Sequence, residues 1–103
     1  AHTLSRINAR GLAVLPFRFR GPAEHSYLGE ALTEEIIDVL SRTRGLRVMS
    51  SSATARFADD RDPKKVATEL EVDAIVDGTI QLAGSVLRVA ARLLEGTSGE
   101  QLW

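Results

Sequence analysis

The residues able to do chemistry in this sequence fall into a few small groups. Glu34, Glu35 and Asp38 are neighbouring carboxylates, and Glu34 and Asp38 share one face if the segment is helical. Close carboxylates push one pKa upward, which is one route to an acid catalyst. Asp38 also precedes Arg42 by four positions, the spacing of a helical ion pair, so the expectation is a solvated helix face. Asp73 and Asp77 lie four apart in an apolar stretch, on one side of a strand, where an acid without a partner is costly. Here Asp73 is expected to precede the buried run, and Asp77 to meet Arg88 or Arg92 across a hairpin.

Ser50, Ser51 and Ser52 have no Gly-x-Ser-x-Gly elbow and no histidine beside them, so they read as helix caps rather than nucleophiles. His2 and His25 lack a second ligand at a metal-binding spacing and read as surface residues. No glycine-rich phosphate loop of the dinucleotide or Walker type is present. Phe17-Arg18-Phe19-Arg20 alternates aromatic and basic side chains, a pattern that can stack on and neutralise a single nucleic-acid strand. Against it stand the net charge of -1 and the lack of a matching aromatic motif on a second strand. No residue is therefore assigned a catalytic, cofactor-binding or metal-binding role, and Arg18, Phe19 and Arg20 stand as an alternative nucleic-acid site.

These groups need elements to position them. At 103 residues, with 44% hydrophobic and 26% charged residues, the chain has the length and composition of one ordinary globular domain. It contains no cysteine, which excludes disulfides and thiolate chemistry and leaves both cytoplasm and periplasm open. No apolar run reaches the roughly 20 residues of a membrane-spanning helix. Residues 1–10 read as a flexible leader, and the apolar segment resuming at Gln101-Leu102-Trp103 reads as a strand cut short, so the chain is taken as a fragment of a larger protein.

Gly11 to Phe17 is nearly all apolar, the mark of a strand covered on both faces. From Ser26 to Thr43, Leu28, Leu32, Ile36, Val39 and Leu40 recur at helical spacing, and Gly45 follows where a helix stops. Leu46 to Met49 is a second strand, and Ala53 to Phe57 a capped helical turn. Asp62-Pro63 opens another helix with Val66, Ala67 and Leu70 on one face. Asp73–Leu82 and Val86–Leu94 read as strands joined through Ala83-Gly84-Ser85, hence antiparallel. The alternation of Leu87, Val89, Ala91 and Leu93 gives the second of them one buried and one wet face.

Ala13-Val14-Leu15-Pro16-Phe17, Leu28-Gly29-Glu30-Ala31-Leu32-Thr33-Glu34-Glu35-Ile36-Ile37 and Leu40-Ser41-Arg42 together resemble the TolB-like amino-terminal domain family. Gly45-Leu46-Arg47-Val48, the run from Leu70 to Ile80 and Gly99-Glu100-Gln101-Leu102-Trp103 extend the resemblance over nearly all of the chain after residue 11. Glu30-Ala31 stands where that family commonly has Asp-Gly, and Asp77 where it commonly has Glu. The resemblance implies a three-layer α/β/α sandwich on a mixed, mostly parallel sheet of about five strands, similar to the anticodon-binding-domain fold. It also implies a bacterial setting beside adenylate cyclase, winged-helix or kinase modules, often ahead of tetratricopeptide repeats, with no ligand-contacting residue carried over. The resulting expectation is a non-catalytic interaction or sensory module of a multidomain signalling protein, without a cofactor. Its partners are neighbouring domains, other proteins or a second copy.

Overall fold

The computed structural model describes residues 11–103, so the expected leader lies outside the described residues. β1 spans Gly11–Val14 and is fully buried. Its alternate side chains enter opposite layers, as a doubly covered strand requires. Ala13 and Leu15 join Phe57, Val66, Ile75 and Leu94 on one side of the sheet, whereas Val14 and Phe17 join Ile37 and Ile80 on the other.

The strand expected to reach Phe17 instead breaks after Val14 and resumes as β2, Arg18–Arg20. Pro16 has no N–H to give a ladder, and the register shows the interruption. Val14 stands opposite Val76 and Arg18 opposite Thr79, so this chain advances four residues while its neighbour advances three. The extra residue makes a bulge that turns Phe17 into the core.

A single 3₁₀ turn at Ala23–His25 leads into α1, Tyr27–Ser41. Leu32, Ile36, Ile37 and Leu40 pack this helix on the Val14 side of the sheet. Its first turn lies close against the break, because a Cβ on Gly29 would stand 2.9 Å from the Phe17 carbonyl oxygen. Thr33 fastens the same place: its hydroxyl accepts from the Phe17 N–H at 2.9 Å and donates to the Gly29 carbonyl at 2.7 Å, both buried. Thr33→Val keeps the shape but leaves the Phe17 N–H unsatisfied. It is expected to lower unfolding free energy by about 1–3 kcal/mol in urea titration.

β3 is two residues, Arg47–Val48, parallel to β1. Ser50 then caps α2, Ser51–Thr54, by accepting from the Ala53 N–H, and a 3₁₀ turn at Ala55–Phe57 follows. Asp62 caps α3, Pro63–Leu70, which presents Val66 and Ala67 to the face opposite α1. α3 ends at Glu71 in the left-handed conformation, φ 54°, a place where glycine is the usual choice.

β4, Ala74–Ala83, is central, with β1 and β2 parallel along one side and β5, Val86–Glu95, antiparallel along the other. Gly84, at φ 61°, makes the turn between them. The result is a mixed, mostly parallel five-stranded sheet with helices on both faces, as expected. One detail differs. The alternation in β5 does not produce a buried face, since Val86 to Arg92 are all exposed and only Leu93 and Leu94 are buried. α3 packs at the end of the sheet nearest Leu94, α1 reaches as far as Ile80 and Phe19, and the tip of the hairpin from Gln81 to Arg88 is exposed or half-exposed.

Candidate functional site

Three features stand out where the sheet leaves its helical cover: an ion-paired cluster at the boundary, a bare strand edge and a bare sheet face. The cluster centres on Asp77, buried on the α3 side of β4. Arg61, in the loop before α3, donates to Asp77 Oδ1 at 2.5 Å, to the Pro16 carbonyl at 2.7 Å and to the Ala58 carbonyl at 2.8 Å. Arg92, directly across the ladder, donates to Asp77 Oδ2 at 3.0 Å. The Arg61 side chain is only 6% exposed and that of Arg92 51%. Burial opposes ionisation of Asp77, but the hydrogen bonds and charges of Arg61 and Arg92 outweigh it and hold the carboxyl below the usual aspartate value. A carboxylate so committed is ionised and occupied, so its role is to lock the Pro16 break and the α2–α3 loop onto β4.

The bare edge belongs to β5. Leu93 donates to the Trp103 carbonyl and accepts from the Leu102 N–H, while Glu95 donates to Glu100 and accepts from Gly99, so the backbone of these two odd-numbered residues faces away from β4. The period of two places the N–H and C=O of Leu87, Val89 and Ala91 on that same outer side. No strand among the described residues pairs with them. Val86, Leu87 and Val89 are each at least half exposed beside this edge.

The bare face lies on the α3 side beyond Arg61. The register aligns Arg18 with Thr79 and Ala90, and Arg20 with Gln81 and Arg88. Arg92 stands one rung nearer the helices, and a shallow hollow of about 310 Å³ gathers Arg18, Asp77, Thr79, Ala90, Arg92 and Gln101. Phe19 takes the opposite face, half-buried against the α1 cluster with Ile80. The aromatic-basic alternation of the sequence is thus divided between two sides of the sheet, and Arg18, Phe19 and Arg20 do not form one stacking surface.

Elsewhere, a cleft of about 610 Å³ opens at the carboxyl ends of β1 and β3, between Pro16, Phe17, Phe19, Glu30, Ser51 and Ser52. The serines read as caps include one, Ser50, that does cap α2. Asp38 pairs with Arg42 at 2.8 Å on the solvated face of α1, alongside exposed Glu34 and Glu35. Asp73 accepts from the Gly11 N–H at 3.1 Å and tethers the start of β1. His25 lies near Glu24 and Tyr27, and His2 is outside the described residues. Among the described residues no three His, Cys, Asp or Glu side chains gather as a metal site, and no helix is long and apolar enough to cross a membrane. Arg61 is the residue the sequence does not announce: it sits between Asp60 and Asp62 in an exposed-looking run, and only the fold brings it sixteen residues along the chain to Asp77.

Comparison with known proteins fits this architecture. The lipoprotein GNA1162 from Neisseria meningitidis superposes with a TM-score of 0.71 at 17% identity, over 90% of this chain and 76% of that one. The carboxy-terminal domain of LpoB from Escherichia coli superposes with a TM-score of 0.69 at 16% identity, over 92% of this chain and 78% of that one. At such identities the likeness is one of fold. In sequence, a Rhizobium meliloti protein named "Putative adenylate cyclase 3" is 36% identical over 94 residues, covering 89% of this chain; the chain spans 16% of that protein's length. The family model for the second domain of HilA/YgeH-like transcriptional regulators matches residues 8–102. With that match running through every strand and helix described above, the chain belongs to the family of HilA/YgeH-like transcriptional regulator second domains.

Proposed function

We propose that this domain is a non-catalytic interaction module of a multidomain bacterial regulator, which relays or scaffolds by protein–protein contact. The observation that carries the reading is the outer edge of β5, where unpaired backbone groups of Leu87, Val89 and Ala91 run beside exposed Val86, Leu87 and Val89. An open edge flanked by apolar side chains is a template for an added strand. The family of regulator domains, and a relative named for a cyclase of which this chain matches a small part, support a setting in which neighbouring domains are at hand. The resemblance to TolB-like domains supports the same setting. The converging charged groups support a non-catalytic role, because Asp77 is spent on Arg61 and Arg92.

Val89→Pro tests the edge. Proline removes an outward N–H that no strand among the described residues uses and is tolerated on edge strands, so the fold is retained. Binding of the complete regulator's other domains, followed by calorimetry, is expected to fall at least roughly ten-fold, about 1.4 kcal/mol. Unchanged binding by a folded Val89→Pro protein would remove the edge from the interaction.

A further inference from the structure

We infer that the bare face on the α3 side of the sheet is a second docking surface, and that its partner is an acidic amphipathic helix. The inference rests on the interaction reading of the domain but uses a different surface. Arg18 and Arg20 on β2 face Arg88 and Arg92 on β5 across β4, and all four are exposed. Only Asp77 supplies a carboxylate on this part of the sheet, and it is buried and ion-paired. Arg18, Arg20 and Arg88 have no acidic partner among the described residues, in a protein whose net charge is -1. The arginines of the two outer strands stand two strand spacings apart, about 10 Å. That is the diameter of an α-helix, about 10–12 Å with its side chains.

The floor between them is Thr79, Gln81, Ala83, Ala90 and Val86, mostly small and methyl-bearing. Such a floor suits the apolar stripe of a helix. α3 already occupies the near half of this face, so a helix laid on the far half would complete the layer. The arginines would then meet carboxylates flanking the stripe, in charge-assisted hydrogen bonds. A single nucleic-acid strand is the poorer fit: the aromatic stacking partner it needs is absent from this face, because Phe19 points to the other.

The test is a nuclear magnetic resonance titration of the 103-residue protein with a helical peptide whose alanine-leucine stripe is flanked by glutamates, and with the same peptide carrying lysines. The expected result is binding of the glutamate peptide at least roughly ten-fold tighter than the lysine peptide. Shifts should centre on Arg18, Arg20, Gln81 and Arg88. The exposed double variant Arg20→Glu with Arg88→Glu should reverse the preference, while Val89→Pro should leave it intact, which separates this surface from the β5 edge. Equal affinity for the two peptides, or shifts centred elsewhere, would overturn the inference. A mixed-sequence single-stranded oligonucleotide binding tighter than the glutamate peptide would overturn it in favour of a nucleic acid.

Discussion

Asp77→Ala is expected to lower the unfolding free energy by about 3–5 kcal/mol, the usual cost of leaving one member of a buried ion pair uncompensated. The residue left behind is Arg61, whose guanidinium is buried and whose Nε already has no acceptor among the described residues. Arg92 contributes less, since its side chain is half exposed and its charge is screened. Arg92→Ala should therefore cost about 1 kcal/mol or less, and Arg61→Ala a loss approaching that of Asp77→Ala. The double variant lacking both Arg61 and Asp77 should lose less than the sum of the two, because neither charge is then stranded. Urea unfolding of the four proteins reads this directly. Losses under about 1 kcal/mol for Asp77→Ala would show that the pair does not hold the break at Pro16 in place.

The same group sets a pH dependence. Its pKa is lowered in the folded state, so the folded protein favours the ionised carboxylate more than the unfolded chain does. The stabilisation is complete above the unfolded value of about 3.8 and fades as pH falls through that value toward the folded one. The Asp77→Ala protein should show a shallower decline over this acid range than the parent, and a decline of equal steepness would place the acid sensitivity elsewhere.

Gly78→Val is the second large effect. A Cβ at Gly78 would fall 2.3 Å from the Phe17 ring and 2.4 Å from the Ala90 carbonyl oxygen, and the latter is backbone in the adjoining strand. Phe17 cannot retreat cheaply, because it is buried beneath α1 and its N–H is held by Thr33. The loss is expected at or above the upper end of the 1–3 kcal/mol typical of overpacking. In a domain of this size about 1 kcal/mol moves the melting temperature by roughly 4–8 °C, so a drop beyond about 10 °C is expected. A change of under about 4 °C would mean that the Phe17 ring has room to move.

Both effects fall at positions the sequence displays without explaining. The helical spacing of Leu32, Ile36 and Leu40, the Asp62-Pro63 cap and the turn at Gly84 made the order of elements legible, because each is a local signal. The antiparallel hairpin was legible too, and with it an arginine partner for Asp77 on the facing strand, whereas the choice of Arg92 over Arg88 came from the register of the ladder. Arg61 was not, because its contact with Asp77 depends on how the α2–α3 loop returns over Pro16. The bulge at Pro16 was visible as a proline but not as the device that carries Arg18 and Arg20 onto the register of β4. Likewise, alternation in β5 signals a strand with two faces, whereas whether either face is covered is decided by where α1 and α3 end. The segregation of Phe19 from its flanking arginines follows from the period of two once Arg18–Arg20 is a strand, and only the ladder showed that it is one.

The central claim, that the outer edge of β5 is where this domain meets its partner, is tested most directly by amide hydrogen exchange at Leu87, Val89 and Ala91. The comparison is between the isolated 103-residue protein and the same residues within the complete regulator. The account predicts fast exchange of these three amides in isolation and protection by at least about ten-fold in the complete protein, with Val89→Pro abolishing the protection of Leu87 and Ala91. Fast exchange in both settings, with the rest of the sheet equally protected, would contradict it.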